Sequence, residues 1–239
     1  SDTGPEKKPD IRIVGSLKLN AFSTPVDETF ADQLRVAAGS RPIVLAASTH
    51  SPEEQILLKA SQEVVRAGYP HLLIIAPRHS DRSQDIARLM PQAAHRSKNQ
   101  LPLLGDKHFL ADSFGEMSSL VTAADIVILG GSFVPKGGHN PLEIAALSTP
   151  LITGPSQFKN KVEFDTLQQY GQCITVKDGA TLVKQLTIWL EALRTDGRAI
   201  PQDNLDKACA YVKQACERPS KTARLIIDRL PTQHHPNQN

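Results

Sequence analysis

The chain has 239 residues, with 27 Lys plus Arg against 25 Asp plus Glu and a formal net charge of +2. A charge so near balance excludes a nucleic acid or another polyelectrolyte as partner on overall electrostatics, while leaving room for a local cationic cluster. The longest apolar runs, HLLIIAP and ADIVILG, are far below the roughly 20 residues needed to cross a bilayer. No signal-peptide pattern precedes them, so a soluble, intracellular chain is expected. Three cysteines, Cys173, Cys209 and Cys216, show neither CxxC nor metal-like spacing and read as reduced thiols.

In chain order, residues 1–10 read as a linker and IRIV from 11 as a first short strand. PIVLAAS follows from 42, then SPEEQILLKASQEVVRAG, where Ile56, Ala60 and Val64 share a helical face with Leu57 and Val65 beside it. HLLIIAP, ADIVILG, PLITG and QCITV continue the series, separated by helix-length connections. Strands that are apolar throughout imply a parallel sheet covered on both faces. The expected fold class is therefore α/β, a Rossmann-like doubly wound parallel sheet with its ligand crevice beyond the carboxyl ends of the strands. From about residue 178 the pattern turns helical (ATLVKQLTIWLEALR, NLDKACAYVKQAC, SKTARLIIDRL). One domain over 11–230 results, with 231–239 as a disordered tail in which His234 and His235 are poor ligand candidates.

Chemistry concentrates at the strand ends. After PIVLAAS comes Thr49-His50-Ser51-Pro52-Glu53-Glu54, and after ADIVILG comes GGSFVPKGGHN, then Pro141-Leu142-Glu143. Each carries a capping-box pattern of cap, proline and acidic residue, and Ser113-Phe114-Gly115-Glu116 offers a third. A helix start has free N–H groups and a partial positive charge, and glycines let an anion approach the backbone. Gly130, Gly131, Gly137 and Gly138 are placed to do this, with Ser132, Lys136 and His139 as additional donors. The alternative is a turn whose glycines supply positive φ and whose Asn140 and Glu143 are spent on capping. The stretch matches neither GxxxxGK[ST] nor GxGxxG. Arg78-His79 at the end of HLLIIAP would bring a guanidinium to the same crevice. His71, His95 and His108 read as ordinary core or surface histidines.

The series GSLKLN, AASTHSPEE, APRHSDR, GEMSSLVTAADIVILGGSFVPKGGHNPLEIAA and PLITGPSQFKN resembles, in order and spacing, the C-terminal half of the bacterial Kdo transferases. Those enzymes move 3-deoxy-D-manno-oct-2-ulosonic acid (Kdo) from CMP-Kdo onto lipid A precursors. The resemblance covers about residues 11–230. It implies one half of a GT-B fold carrying the nucleotide-sugar donor, with the acceptor lipid, the membrane anchor and the catalytic base in an N-terminal half. By the resemblance Gly131, Ser132 and the start of a helix over 141–149 would meet the phosphate. Asn140 and Glu143 would reach the ribose, a role set above capping for Glu143, and Arg78 the phosphate or carboxylate of the donor. The backbone of Gly115, Glu116 and Met117 would meet the cytosine, and Ser48, Thr49, His50 and His79 would complete the site. No metal or other cofactor is expected, since there is no DxD. Two departures from the family pattern are Ser51-Pro52 after STH and Ser156 after GP. The expected setting is the cytoplasmic side of the bacterial inner membrane. Two alternatives are a GT-B transferase or epimerase half using a uridine nucleotide, and a non-catalytic sugar-nucleotide module.

Overall fold

A computed structural model describes residues 25–227. The expected linker, the strand IRIV and the tail lie outside the described residues. Elements follow in the order α1 (Glu28–Ala38), β1 (Ile43–Thr49), α2 (Glu53–Arg66), β2 (Leu72–Pro77), α3 (Ser83–Leu89), β3 (Ala94–His95), β4 (His108–Leu110) and α4 (Met117–Ala123). Then come β5 (Ile126–Leu129), α5 (Leu142–Ala146), β6 (Leu151–Thr153), α6 (Lys161–Gln169), β7 (Cys173–Thr175), α7 (Gly179–Asp196) and α8 (Gln202–Ile227). Short 3₁₀ turns sit at Ser80–Arg82 and Arg96–Lys98.

The seven strands form one wholly parallel sheet, ordered β3-β4-β2-β1-β5-β6-β7. Its core divides as strand alternation requires. Ile43, Leu45, Ala47, Leu72, Ile74, Val127 and Leu129 face one side, packed with Phe30 and Leu34 of α1, Leu120 of α4, Phe164 of α6 and Val212 of α8. Val44, Ala46, Leu73, Ile75, Ile126 and Ile128 face the other, against Leu57 and Val64 of α2, Ile86 of α3 and Trp189 of α7. Burial on both faces is why these strands read as unbroken apolar runs rather than alternating ones.

The doubly wound class stands, with local corrections. Strands β3 and β4 are additional; they hold two and three residues and carry His95 and His108, too little apolar sequence to register as strands. The last two helical segments are one helix, α8. None of the three expected capping boxes forms: α2, α4 and α5 start with Pro52, Glu116 and Pro141 at the cap position, without a side-chain cap bond. Asp27 caps α1, and Asp178 with Thr181 makes a true capping box on α7. At the other end of α1, Gly39 takes φ 63°, which a glycine accommodates without strain.

The connection order reverses at β1, which has β2 on one side and β5 on the other. This is the switch point at which an open α/β sheet leaves a crevice. Here β1 carries a bulge: Ala47 pairs with Ala76 and Thr49 with Pro77, which leaves Ser48 unpaired at φ 55°. Gly130, next to the bulge, has no room for a side chain, because an added Cβ would overlap the Ser48 carbonyl and the Thr49 Cα. The clash is with backbone, so relief requires the bulge itself to move. Gly130→Ala is expected to destabilise the fold by about 3 kcal/mol or more, read as a lowered urea midpoint at unchanged slope.

Candidate functional site

The glycine stretch is built around an internal anion. Glu53, wholly buried at the start of α2, accepts hydrogen bonds from four backbone N–H groups. His50 and Gly131 donate to Oε2, each at 2.8 Å, while Ser132 and Phe133 donate to Oε1 at 3.0 and 2.8 Å. Gly131 reaches this position at φ 67°. Successive N–H groups converging on one anion form a nest, and here the chain fills it with its own carboxylate.

Several other backbone donors of the stretch are also committed. Gly130 N–H donates to Ala47 O, Gly138 N–H to Gly131 O and His139 N–H to Gly130 O. Gly137 N–H donates to the hydroxyl of Ser156, one of the two departures noted above. Ser132 is wholly buried; its hydroxyl donates to Leu129 O at 2.5 Å and accepts from Gly154 N–H at 2.8 Å. Gly131 and Ser132 therefore have no free donor for a phosphate, contrary to the expectation from sequence. Gly137 and Gly138 serve packing, because a Cβ on either would strike Phe158 and Lys159 or the Phe164 ring. The expected helix over 141–149 is a single turn, α5, and its Leu142 N–H is taken by Asn140 Oδ1 at 3.1 Å.

Thr49 is likewise enclosed, its hydroxyl donating to Glu54 Oε1 at 2.7 Å. Glu54 in turn is held by Arg82 through two parallel bonds of 2.8 and 3.0 Å. Burial opposes ionisation of Glu54, but the bonds from Arg82 and Thr49 outweigh it and hold its carboxyl below the ordinary value. Glu116 is similarly clamped by Arg96 and by the Ser113 hydroxyl, with the Arg96 guanidinium over the Phe30 ring at 4.3 Å.

What is left open is a cavity of about 210 Å³ at the switch point, lined by Ser48, Arg78, Met117, His139, Asn140 and Glu143 among others. Arg78 is exposed and makes no ion pair among the described residues. Glu143 makes no cap bond, which leaves its carboxylate to the cavity; burial raises its carboxyl above the ordinary value, and the charge of Arg78 pulls the other way. Beside the cavity the rings of His50 and His139 lie parallel, 4° apart in plane, with their Nε2 atoms 2.9 Å apart. His79 meets His50 edge-on at 5.7 Å. Desolvation, then the neighbouring His50 and Arg78, push His139 down to about 4; desolvation, then His79, Lys136 and Arg82, lower His50. Lys136 stands close enough to His50 to act on its charge without lining the cavity, and Gly115 and Glu116 also stand outside the lining. Among the described residues no group of three or more His, Cys, Asp or Glu is placed to hold a metal ion, and no helix is long and apolar enough to cross a membrane.

Of the residues singled out from sequence, the structure thus gathers Ser48, Arg78, Met117, His139, Asn140 and Glu143 around one cavity, with His50 behind them. It assigns Thr49, Ser132 and the four glycines to architecture. The residues sequence reasoning missed are Glu53, Glu54, Arg82 and Arg96. Two adjacent carboxylates opening a helix beside a glycine-rich strand end were the available signal for the first two.

No protein-family model matches the chain. It is 39% identical over 157 residues to the 3-deoxy-D-manno-octulosonic acid transferase of Haemophilus influenzae, a match covering 63% of this chain and 36% of that protein. Against the enzyme of the same name from Rickettsia conorii it is 32% identical over 183 residues, covering 75% of this chain and 39% of the relative. The chain thus matches well under half the length of these relatives. Among solved structures, the C-terminal CMP-Kdo binding domain of WaaA from Acinetobacter baumannii superposes with a TM-score of 0.65 at 27% identity, covering 78% of this chain and 98% of that domain. A parallel doubly wound sheet with an arginine-bearing crevice at its switch point, so matched, is one half of a GT-B glycosyltransferase. More narrowly, the chain belongs to the 3-deoxy-D-manno-octulosonic acid transferase family.

Two stability predictions follow from these charges. Glu53→Ala strands four buried N–H donors and is expected to cost on the order of 3–5 kcal/mol in chemical denaturation, more than Glu143→Ala, which breaks no internal bond. For acid, His50, His71, His108 and His139 all lie below the ordinary value of 6.5, chiefly through burial. The unfolded chain therefore takes up protons near 6.5 while the folded one does not, and stability present above that pH is lost as the pH falls below it. The thermal midpoint should drop on acidification from neutrality. His71→Gln should remove part of that slope, at most about 1.4 kcal/mol per pH unit.

Proposed function

We propose that this chain is the donor-binding half of a Kdo transferase, holding CMP-Kdo in the crevice between β1 and β5. The observation that carries the reading is the cavity lined by Arg78, His139, Asn140 and Glu143, lying at the sheet's switch point in a chain that covers nearly all of a CMP-Kdo binding domain. In this reading Arg78 pairs with the phosphate or the sugar carboxylate. Glu143 and Asn140 hold ribose hydroxyls, and the base lies toward Met117. The amides of Gly131 and Ser132 play no direct part, because Glu53 already occupies them.

The reaction is glycosyl transfer by displacement of CMP. A base outside the matched region removes the proton from the acceptor hydroxyl of a lipid A precursor, and the anomeric carbon exchanges its bond to the CMP phosphate for one to that oxygen. This half contributes positioning and stabilisation of the charge that develops on the departing CMP, through Arg78 and the neighbouring Lys136. We propose that this charge is met by side chains without a bound metal ion. The intact transferase would work at the cytoplasmic side of the bacterial inner membrane.

Titration of the protein with CMP, UMP, CDP and UDP, followed by NMR, tests the donor assignment. CMP is expected to bind best, with Glu143→Ala and Arg78→Ala each weakening it by about 1–3 kcal/mol. Preference for a uridine nucleotide would move the donor to another class, and indifference of CMP affinity to both substitutions would remove the crevice as its site.

A further inference from the structure

The neutral histidine pair beside the cavity has a defined proton capacity. With two Nε2 atoms 2.9 Å apart, one must carry the proton and donate while the other accepts with its lone pair. In the neutral pair one ring is therefore protonated on Nε2 and the other on Nδ1. One further proton can be added without breaking the bond, since it goes to the free Nδ1 of the donor ring and makes an imidazolium hydrogen-bonded to an imidazole. A second added proton would put N–H groups on both facing nitrogens and force the rings apart. The pair can thus change its charge by one while keeping its geometry.

Its surroundings hold it in the uncharged state. His50 is faced by His79, Lys136 and Arg82 and by Glu54, whose carboxylate is already committed to Arg82. His139 is faced by Arg78, Lys159 and His79, and shares the cavity with Glu143. With Arg82 and Glu54 neutralising each other, Lys136 is left facing His50, while Arg78 and Lys159 face His139 against the single carboxylate of Glu143, and burial adds to the cost of charging either ring. The entry of CMP, whose phosphate is a doubly negative monoester once the sugar has left, among Arg78, His139 and Asn140 would reverse that balance.

From this geometry we infer that His50 and His139 act as one proton-accepting unit that becomes a cation when CMP, the departing nucleotide of the proposed reaction, occupies the crevice, supplying the phosphate contact that the Glu53-filled nest cannot. The inference rests on the donor-binding reading above and adds to it a named phosphate partner and a coupled proton. Binding then consumes the protein, the CMP dianion and up to one proton from solvent, and affinity rises as the pH falls, by up to about tenfold per pH unit while the nucleotide stays doubly ionised.

The imidazole Cε1–H resonances of the full chain, followed by NMR between about pH 5 and 8 with and without saturating CMP, report the protonation of each ring directly, separate from that of the phosphate. Without nucleotide, neither His50 nor His139 should titrate in the upper part of that range. With CMP, one of the two should titrate with its midpoint raised by about one unit or more. His139→Gln should weaken CMP by about tenfold at the acidic end and much less at the alkaline end, with its thermal midpoint checked to confirm folding. If CMP saturates the cavity, as judged by the Met117 methyl resonance, and both histidines keep their free-state titration, the inference is overturned. If UMP binds in place of CMP and still moves the pair, the proton coupling stands while the cytidine assignment falls. If no nucleotide binds, the donor reading fails and this inference with it.

Discussion

The arrangement depends on one buried carboxylate. Removing Glu53 from water carries a cost of several kcal/mol, and only a full set of hydrogen bonds offsets it. Four backbone N–H groups provide them. Three belong to the strand end after β5 and one to the loop after β1, so the carboxylate ties together the two strand ends that flank the switch point. The loops must also approach closely for this, which is why Gly130 lies against the Ser48 carbonyl and Gly154 against Ser132, with no space for a Cβ at either. Glycine density here serves backbone-to-backbone contact and an internal anion.

This constraint passes the work of anion recognition to side chains. Once Glu53 has used the nest and the single turn of α5 has surrendered Leu142 N–H to Asn140, the side chains that carry charge or donors to the crevice include Arg78, Lys136, Asn140 and the histidines. The negative counterpart is divided: Glu54 and Glu116 are neutralised by Arg82 and Arg96, and Glu143 alone keeps an uncommitted carboxylate toward the cavity. A crevice with the Arg78 guanidinium and one free carboxylate, and with Lys136 nearby, suits a ligand that brings an anion at one end and hydroxyls at the other.

The sheet was legible in the sequence because a strand buried on both faces carries its own signature. PIVLAAS, HLLIIAP and ADIVILG became β1, β2 and β5, and together they define the switch point. Strands β3 and β4 were not legible, because two or three residues hold a strand only through the neighbour they pair with. The cavity at the switch point was legible by location, and Arg78, His139, Asn140 and Glu143 among the residues that line it. The site was misread for Gly131, Ser132 and Thr49, whose partners Glu53 and Glu54 look, in sequence alone, like ordinary first-turn acids of a helix. A local capping pattern and a long-range nest use the same residue types. Only the fold, which brings residue 53 to residue 131, decides between them.

Size bears on how such a site could act. At about 210 Å³ the cavity falls below the roughly 300–1,000 Å³ of pockets that enclose a small ligand. In the proposed reading it takes part of a nucleotide sugar, and the rest of the donor extends past the exposed Arg78, His79 and Lys136. In that reading a donor held this way keeps its anomeric carbon uncovered for displacement by the proposed acceptor. Any surface that covered the crevice would exclude water from it, and the electrostatic terms supplied by Arg78 and the histidine pair would then strengthen as the local dielectric falls. The fold thus pairs a rigid, internally satisfied backbone with a shallow, cationic rim, which is the division of labour a domain needs if it is to present a donor rather than enclose it.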